Sequence, residues 1–167
     1  ILELYIKSGI EISAAVSTVN MMLTTKNSEV LTSSVDVCCI NRHSKIAGFV
    51  KMGAVPSLII GKENVRAIEI NRPPAGVSAE LEEASCKITE CDISDDIAIV
   101  MFTDGVYDAF SNGGVNKRVF FEYIATIVRR NYKDNNGAEL VAKEIINKTK
   151  SFSSNADDMS VIVLYLC

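Results

Sequence analysis

The segment "SSVDVCCINRHSKIAGFVKMG", residues 33–53, decides the fold. Apolar and polar residues alternate in "SSVDVCCIN", "RHSK" turns the chain, and the apolar run "IAGFVKMG" returns it, a pattern typical of two strands joined by a tight turn. The segment therefore predicts an antiparallel β-hairpin. In its first strand, one face is predicted to carry Val35, Val37 and Cys39, and the other Ser34, Asp36 and Cys38.

Further strand patterns follow this hairpin along the chain. "PSLIIG" and "VRAIEI" predict a second hairpin around residues 61–64, and "ASCKITEC" and "DIAIVMF" predict two more strands around the turn "DISDD". Successive strands joined by short turns form a meander, so the sheet structure is predicted to be mainly antiparallel. The last strand, "SVIVLYL", is apolar on both faces and is predicted to be buried on both.

Helical patterns flank the strands. Residues 1–8 and a second stretch after Gly9 precede them, while "VNKRVFFEYIATIVRRNY" and "AELVAKEIINKTKSF" precede the last strand. This order predicts a single α+β domain over residues 1–167, a layered α/β/β/α sandwich of mainly antiparallel sheets. The predicted apolar helix faces carry, in chain order, Ile1, Leu4 and Tyr5; Ile12, Ala14, Ala15, Val16, Val19, Met22 and Leu23; Val115, Val119, Tyr123, Ile124, Ile127 and Val128; and Leu140, Val141, Ile145 and Ile146.

Composition and charge narrow the classes of function. The net charge of -4 argues against nucleic acid and against anionic membranes as main partners. No apolar run reaches the ~20 residues of a membrane span. The five cysteines form no Cys-x-x-Cys pair and are predicted to be reduced core thiols of a cytoplasmic protein. His43 stands in the first hairpin turn, a position that does not indicate a zinc site.

Two acidic segments stand at predicted strand ends. "MFTDGVYDAF", residues 101–110, places Asp104 where a strand stops, and "SSNADDMS", residues 153–160, places Asp157 and Asp158 before the last strand. Each segment alone also fits an ordinary turn. Together they favour a cation site, since adjacent carboxylates repel each other unless a cation is present. Oxygen ligands without His or Cys favour Mg²⁺ or Mn²⁺.

These segments carry a family resemblance. "MFTDGVYDA" and, nearer the end, "DDMSVIVL" resemble the two aspartate motifs of the metal-dependent serine/threonine protein phosphatases of type 2C. "KMGAVPSLII" resembles the Gly-x-x-Pro-Ser segment of the bacterial branch, and "RPPAGV" stands where that branch has Leu-Pro-hydrophobic-Gly. Within the branch, the chain is most similar to the phosphatase domain of the stage II sporulation protein E family, through "YIKSGIEISAAVSTVNMML" and "SSVDVCCIN".

The resemblance implies roles for four residues. Asp104 and Asp157 would be metal ligands and catalytic residues in a site that, when complete, holds two Mn²⁺ or Mg²⁺ ions. Asp158 would orient a metal-bound water. Gly105 would allow close approach beside the metal. These roles rest on the match between the motifs of this chain and those of the family.

Other residues around the motifs are expected to be structural. Thr103 is expected to bond local backbone. Asp108 has no role in the family's site and is expected to act as an acid near a helix N-terminus, where a negative charge is favourable. Gly53 and Ser57 are expected to support the sheet.

One family motif is not present in these 167 residues. The family's first Asp-Gly motif, whose aspartate bridges both metals, precedes the position of the first helix, and here no Asp precedes Asp36. We therefore expect an N-terminally truncated phosphatase-like domain that lacks its first strands, associates with itself through bare sheet edges and is inactive alone. In the complete domain, a metal-bound hydroxide would hydrolyse phosphoserine or phosphothreonine on a regulatory phosphoprotein.

Two interpretations of different classes stay open. The first is the phosphatase, whose implied substrate is a phosphorylated antagonist of an anti-sigma factor in sporulation control, at the cytoplasmic face of a membrane-anchored parent protein. The alternative is a non-catalytic, phosphatase-like regulatory module that binds a partner. Asp104 and Asp157 favour the enzyme, because a binding module gains nothing from their repulsion. A phosphatase with an aspartyl nucleophile would need Asp-x-Asp, a spacing that "TDGVYD" lacks.

Overall fold

Helices and strands occur in blocks along the chain. The computed structural model describes residues 2–25, 31–77, 86–152 and 158–166. In these ranges the blocks follow the predicted order, and the α+β class with antiparallel sheets is confirmed. In chain order the elements are α1 Leu2–Lys7, α2 Ile12–Thr25, β1 Val35–Asn41, β2 Ile46–Met52, β3 Ser57–Gly61, β4 Val65–Ile68, β5 Thr89–Asp92, β6 Asp96–Phe102, α3 Asp104–Asn112, α4 Lys117–Asn131, α5 Gly137–Lys150 and β7 Val161–Tyr165.

The strands form two sheets rather than one continuous meander. β1, β2 and β5 form a three-stranded sheet, and β4, β3, β6 and β7, in that order, form a four-stranded sheet. The prediction that β5 and β6 continue one meander is wrong. The reason is a tertiary contact: after β5, the Ile93 amide donates a hydrogen bond to the Lys45 carbonyl at 2.9 Å, so the chain keeps following β2 instead of turning back.

The chain divides into two compact units. Unit 1 comprises Ile1–Ala54 and Ile70–Ser94, with α1, α2 and the three-stranded sheet. Unit 2 comprises Val55–Glu69 and Asp95–Cys167, with the four-stranded sheet and α3, α4 and α5. The single domain over residues 1–167 stays a prediction. None of the helices in the described ranges combines the length and hydropathy of a membrane span.

The first hairpin of unit 1 forms as predicted. Val35 pairs with Met52 at its open end, and Asn41 pairs with Ile46 next to the turn. The Asn41 side-chain oxygen accepts hydrogen bonds from the backbone amide of His43 at 3.0 Å, and from that of the next residue at 3.1 Å. A short polar side chain that bonds the backbone ahead of it closes a turn, so His43 lies in a hairpin turn as expected.

One face of this hairpin packs against α2. Val50 and Met52 are fully buried and cluster with Ile12 and Val16 of that helix. The predicted apolar face of α1 is wrong: Leu4 is 65% exposed, and no residue of α1 is buried. With six residues, α1 makes fewer than two turns and cannot bury a full stripe.

The other face of the hairpin carries a buried ion pair. Asp36 and Lys51 are cross-strand neighbours, and Lys51 Nζ lies 2.5 Å from Asp36 Oδ2. The Lys51 side chain is fully buried, and this burial lowers its pKa, although the bond to Asp36 opposes the shift. The face of the hairpin that carries Asp36 therefore also holds a buried charged residue, Lys51, and is not simply exposed to solvent.

The cysteines are not all core thiols, contrary to the prediction. The free thiols of the described ranges are Cys38, Cys39, Cys86 and Cys91. Cys39 is exposed although it alternates with Val35 and Val37, whose face packs against α2, and Cys38 is half-buried on the opposite face, next to the half-buried Asp36. Burial raises the pKa of the Cys38 thiol to about 12, and Cys39 and Asp36 act in the same direction. Cys167 lies outside the described residues.

Cys38 predicts a loss of stability in alkaline solution. The unfolded thiol ionises near its ordinary pKa of 9.0, whereas the folded thiol keeps its proton to about pH 12. The native state then binds more protons than the unfolded state, so the unfolding free energy falls as pH rises from 9 toward 12. We expect Cys38→Val to lose less stability over this range than the unchanged chain, as measured by urea unfolding at several pH values. Equal pH slopes for the chain and Cys38→Val would contradict the prediction.

In unit 2, α4 and α5 cover one face of the four-stranded sheet. Val100 and Phe102 of β6 belong to one buried cluster with Phe120 of α4 and Val141 of α5. The Phe120 ring lies 5.4 Å from the Phe102 ring and 4.3 Å from the Phe110 ring, between centroids. This aromatic cluster fixes the end of β6 against the helices that follow it.

Two predicted helix positions in unit 2 are wrong. Val119 and Leu140 are 60% and 43% exposed, whereas Phe120 and Phe121 are buried. Because a helix turns every 3.6 residues, Phe120 shares a face with Ile124 and Ile127, and Val119 falls on its solvent side. The sequence stripe was therefore displaced by one residue at the start of α4.

β7 is also not buried on both faces. Val161, Val163 and Tyr165 pack against the core of unit 2, but Ile162 and Leu164 are 62% and 45% exposed. β7 is the last strand in the order of the described sheet, and its exposed residues point away from the helix-covered face. The prediction that β7 is buried on both faces, which rested on apolar residues at every position, is therefore wrong.

Candidate active site

The two acidic motifs meet where β6 ends and β7 begins. These strands are antiparallel neighbours, and Phe102 pairs with Val161 at the end of their ladder. The residues after β6 and those before β7 therefore share one edge of the sheet. The aromatic cluster around Phe102 anchors this edge.

Thr103 links the two motifs directly. Its amide donates a hydrogen bond to the Ser160 carbonyl at 3.1 Å. Its hydroxyl donates to the backbone carbonyl of Asp158 at 3.0 Å and accepts from the Ser160 amide at 2.9 Å. The prediction that Thr103 bonds local backbone is wrong for its side chain: Thr103 is the N-cap residue of α3, but its hydroxyl bonds the segment before β7 instead of the helix that follows.

Asp104 begins a helix, so the interpretation of "TDG" as a plain turn is wrong. It is the first residue of α3 and is exposed, and its Oδ1 accepts a hydrogen bond from the Gly105 amide at 2.9 Å. A carboxylate in the first turn of a helix is stabilised by the unbonded amides there. Gly105 is buried beneath it, and Asp108 is exposed one turn further along α3. The structure thus presents Asp104 to solvent from a fixed backbone.

The second acidic motif is described only in part. Asp158 is exposed, and its carbonyl is held by Thr103. Asp157 lies outside the described residues, so the expected approach of its carboxylate to that of Asp104 stays a prediction. The segment on its C-terminal side is nevertheless fixed next to Asp104, as a shared site requires.

The side chains at this edge of the sheet are of the type that binds a hard cation, but those in the described residues are too few for a complete site. Asp104 and Asp158 both carry exposed carboxylates, the donors that Mg²⁺ and Mn²⁺ prefer. Within the described ranges, no group of three or more His, Cys, Asp or Glu residues comes together as a metal site. A complete ion site would therefore need donors besides these two, of which Asp157 is the predicted one.

The chain matches the model of a known protein family. The sequence model of "Stage II sporulation protein E (SpoIIE)" matches residues 1–166. The chain belongs to the SpoIIE family. Two relatives are the stage II sporulation protein E of Priestia megaterium, 24% identical over 108 residues, and that of Bacillus subtilis strain 168, 23% identical over 108 residues. Each match covers 65% of this SpoIIE-family chain but only 18% and 13% of the respective relative.

Solved structures have the same fold. The PP2C phosphatase domain of Bacillus subtilis SpoIIE with a fragment of its regulatory domain matches with a TM-score of 0.75 at 21% identity, over 97% of this chain and 46% of that one. The manganese-presoaked phosphatase domain of the same protein gives 0.61 at 21% identity, over 99% and 70%. The RsbU and RsbW domains of Rv1364c from Mycobacterium tuberculosis give 0.71 at 14% identity, over 97% and 43%. The SpoIIE-family chain thus has the fold of PP2C phosphatase domains.

Two features of the SpoIIE-family chain were missed from the sequence. The first is the connection of Thr103 to the backbone of Asp158 and Ser160, for which the only signal was a hydroxyl residue at the end of β6. The second is the Asp36–Lys51 pair, whose signal was a lysine at an inward position of β2. Neither contact can be recognised in the sequence unless the pairing of the strands that carry the two partners is known.

Proposed function

We propose that this chain forms part of a metal-dependent phosphatase that hydrolyses phosphoserine or phosphothreonine on a regulatory phosphoprotein. One observation carries the proposal: Thr103, adjacent to Asp104, is hydrogen-bonded to Asp158 and Ser160, so the two acidic motifs meet. Membership of the SpoIIE family supports it.

The proposed site uses four residues. Asp104 and Asp157 hold Mn²⁺ or Mg²⁺, two ions in the complete site, with Asp158 and Gly105 beside them. Bound ions would supply Lewis acidity toward water and toward the phosphoryl oxygens. The chain's own contribution is orientation: the Gly105 amide holds one oxygen of Asp104, and the start of α3 directs that carboxylate to solvent.

The proposed substrate is a phosphorylated protein rather than a small metabolite. Asp104 and Asp158 are exposed at a sheet edge, where a phosphorylated side chain on a protein surface could approach them. Within the sporulation family, we propose a phosphorylated antagonist of an anti-sigma factor as the substrate and the cytoplasm as the compartment. A membrane-anchored parent protein and self-association belong to the same proposal.

The second candidate is a non-catalytic regulatory module with the same fold. It is favoured by the small number of ligands: the described ranges contain no group of three or more metal-binding side chains. Such a module would bind a partner without Mn²⁺ and would be insensitive to a chelator.

The test compares two forms of the protein: the 167-residue chain, and the product of the complete open reading frame that contains it, which we call the extended protein. We expect the extended protein to hydrolyse a phosphoserine peptide with millimolar Mn²⁺ and to lose this activity with EDTA. The 167-residue chain alone should show little or no phosphatase activity, because two metal ions that lack the ligand bridging them are not held rigidly. Phosphate release measures both. Robust activity of the chain alone, or an inactive extended protein that still binds a partner in EDTA, would contradict the proposal.

A further inference from the structure

We propose that a groove between β4 and α4 binds an extended, acidic segment of the phosphoprotein substrate by adding it as a further strand to the edge of the four-stranded sheet. This β4–α4 groove has a volume of about 580 Å³. Its lining residues include Val65 and Ala67 of β4, and Lys117, Arg118, Phe121 and Glu122 of α4. The binding itself follows from the groove, and only the assignment of the segment to the substrate rests on the proposed function.

The backbone edge of β4 is open to an added strand. β4 lies at one end of the strand order in its sheet, and in the described part of the chain it pairs with β3 alone. The Gly61 amide donates to the Asn64 carbonyl at the turn, and bonded pairs alternate along an antiparallel ladder. Val65 and Ala67 therefore direct their amides and carbonyls away from β3. An added strand bonds to groups of this kind.

The side chains of the same two residues form an apolar floor. Val65 and Ala67 are half-buried and pack, like Phe121, in the apolar core of unit 2. Alternate residues of a strand point to the same side of the sheet, so every second side chain of the added segment would lie on this floor beside α4. Arg66 points to the opposite side, where it pairs with Asp96. The groove thus fits a strand with apolar side chains on one face.

The charges at one end of the groove favour an acidic segment. Lys117 Nζ lies 2.6 Å from Glu69 Oε2 in a half-exposed pair, which contributes little and can exchange its carboxylate for one from a ligand. The Arg118 side chain is exposed and forms no ion pair with other residues of the described ranges. Glu122 lies one turn further along α4, so the two cations stand together at the end near Glu69. An acidic residue of the segment is expected at that end.

This end of the groove lies at the end of the sheet that carries Asp104. β4 and β6 are both antiparallel to β3, and Ala67 and Val100 both pair with Leu58, so the two strands run the same way in step. Two strand spacings of about 4.8 Å separate them. Since an extended chain spans about 3.3 Å per residue, a phosphorylated residue about three or four positions beyond the docked segment would reach Asp104.

Binding is measured with the extended protein in EDTA, by the fluorescence anisotropy of a labelled peptide, Asp-Asp-Thr-Val-Thr-Val-Thr, so that no metal ion takes part. We expect Arg118→Glu to weaken binding at least about fivefold, since an attraction becomes a repulsion. Ala67→Pro should weaken it about three- to tenfold, because proline removes an outward amide and no bond to β3. Arg42→Glu is the matched control and should bind the peptide unchanged, because Arg42 is also exposed but lies in the β1–β2 turn.

A modified peptide tests the mode of binding. Methylation of the backbone nitrogens in its Thr-Val stretch should weaken binding about tenfold or more, because the methylated strand cannot donate to β4. Equal affinity for the methylated peptide or for Arg118→Glu, or no binding by the unchanged protein, overturns the inference. If Ala67→Pro does not fold, the methylated peptide tests the same contact. Self-association that Ala67→Pro abolishes, without peptide binding, would assign the edge to a second copy of the chain and also overturns it.

Kinetics with Mn²⁺ test the assignment to the substrate. A peptide with phosphoserine about four residues before Asp-Asp should have a kcat/KM about tenfold or more above that of a phosphoserine peptide without the docking sequence. Arg118→Glu should bring the ratio of the two values toward one. Equal values in the unchanged protein overturn the assignment to the substrate alone. If neither peptide is hydrolysed although the docking sequence binds, the proposed function fails together with that assignment, and binding in the groove stands.

Discussion

Asp104→Asn is expected to lower the Mn²⁺-dependent activity of the extended protein by more than about a hundredfold. Changes in residues that merely support metal ligands already cost 10- to 100-fold, and here a proposed ligand itself loses its charge. Asparagine keeps an oxygen that can accept the Gly105 amide, so the backbone at the start of α3 should not change. Phosphate release at saturating Mn²⁺ measures the effect.

The stability of Asp104→Asn should hardly differ from that of the unchanged chain. Two small effects oppose each other: removal of a carboxylate from the first turn of α3 loses a few tenths of a kcal/mol, and removal of repulsion from the neighbouring acidic segment gains a similar amount. Asp108→Asn, one turn further on, is the control and should keep full activity. Unfolding of metal-free Asp104→Asn would show that the carboxylate is a structural group instead of a ligand.

Asp36→Ala is expected to lower the unfolding free energy by up to about 3–5 kcal/mol, the range measured when one partner of a fully buried ion pair is removed, since Lys51 is fully buried whereas Asp36 is 18% exposed. Lys51 is fully buried, so the substitution takes the carboxylate away from a charge that water cannot reach. Because burial already lowers the Lys51 pKa, raising the pH should recover part of the loss by making the lysine neutral. Urea unfolding at neutral and alkaline pH measures both effects.

The matched control for this pair is exposed. Glu3 and Lys7 form an ion pair in α1 with side chains 79% and 73% exposed, and Glu3→Ala should cost less than about 0.5 kcal/mol. The double variant Asp36→Leu with Lys51→Met should recover most of the stability that either single change loses, since apolar residues can replace a buried pair. Similar small losses for Asp36→Ala and Glu3→Ala would mean that Lys51 finds adequate compensation elsewhere.

Local patterns predicted the hairpins but not the partition of the strands into sheets. The alternation around residues 33–53 fixes both strands of the β1–β2 pair, because the turn brings neighbours in sequence together. The same alternation in β5 and β6 does not say which strand each will join, since that depends on bonds such as Ile93 to Lys45 that cross between distant segments. Which sheet a strand joins is decided by tertiary contacts, and the alternation of apolar and polar residues within the strand does not predict it.

The site shows the same division. The position of each acidic motif at a strand end followed from the sequence, whereas their shared edge comes from the pairing of β6 with β7. The identity of Thr103 as the link did not, since its hydroxyl serves a carbonyl 55 residues away. Burial was hardest to predict for apolar residues near the start of a helix or on an edge strand. At Val119, a shift of the helical stripe by one position exchanges a buried for an exposed residue, and at Ile162, burial depends on whether another element covers that face of the strand.

The segments of the two units alternate along the chain, and this affects the order in which the units can fold during synthesis. The β3–β4 hairpin belongs to unit 2, yet on the ribosome it emerges before β5, the last strand of unit 1. β3 lies between β4 and β6 in its sheet, so one of its edges stays open until Asp96–Phe102 has been synthesised, and β6 then waits for β7 at the end of the chain. Domains generally fold as units during synthesis, and non-local pairing is slow. Unit 1 can therefore fold on the nascent chain, while the edge that carries Thr103 and Asp104 is complete only after β7 has been synthesised.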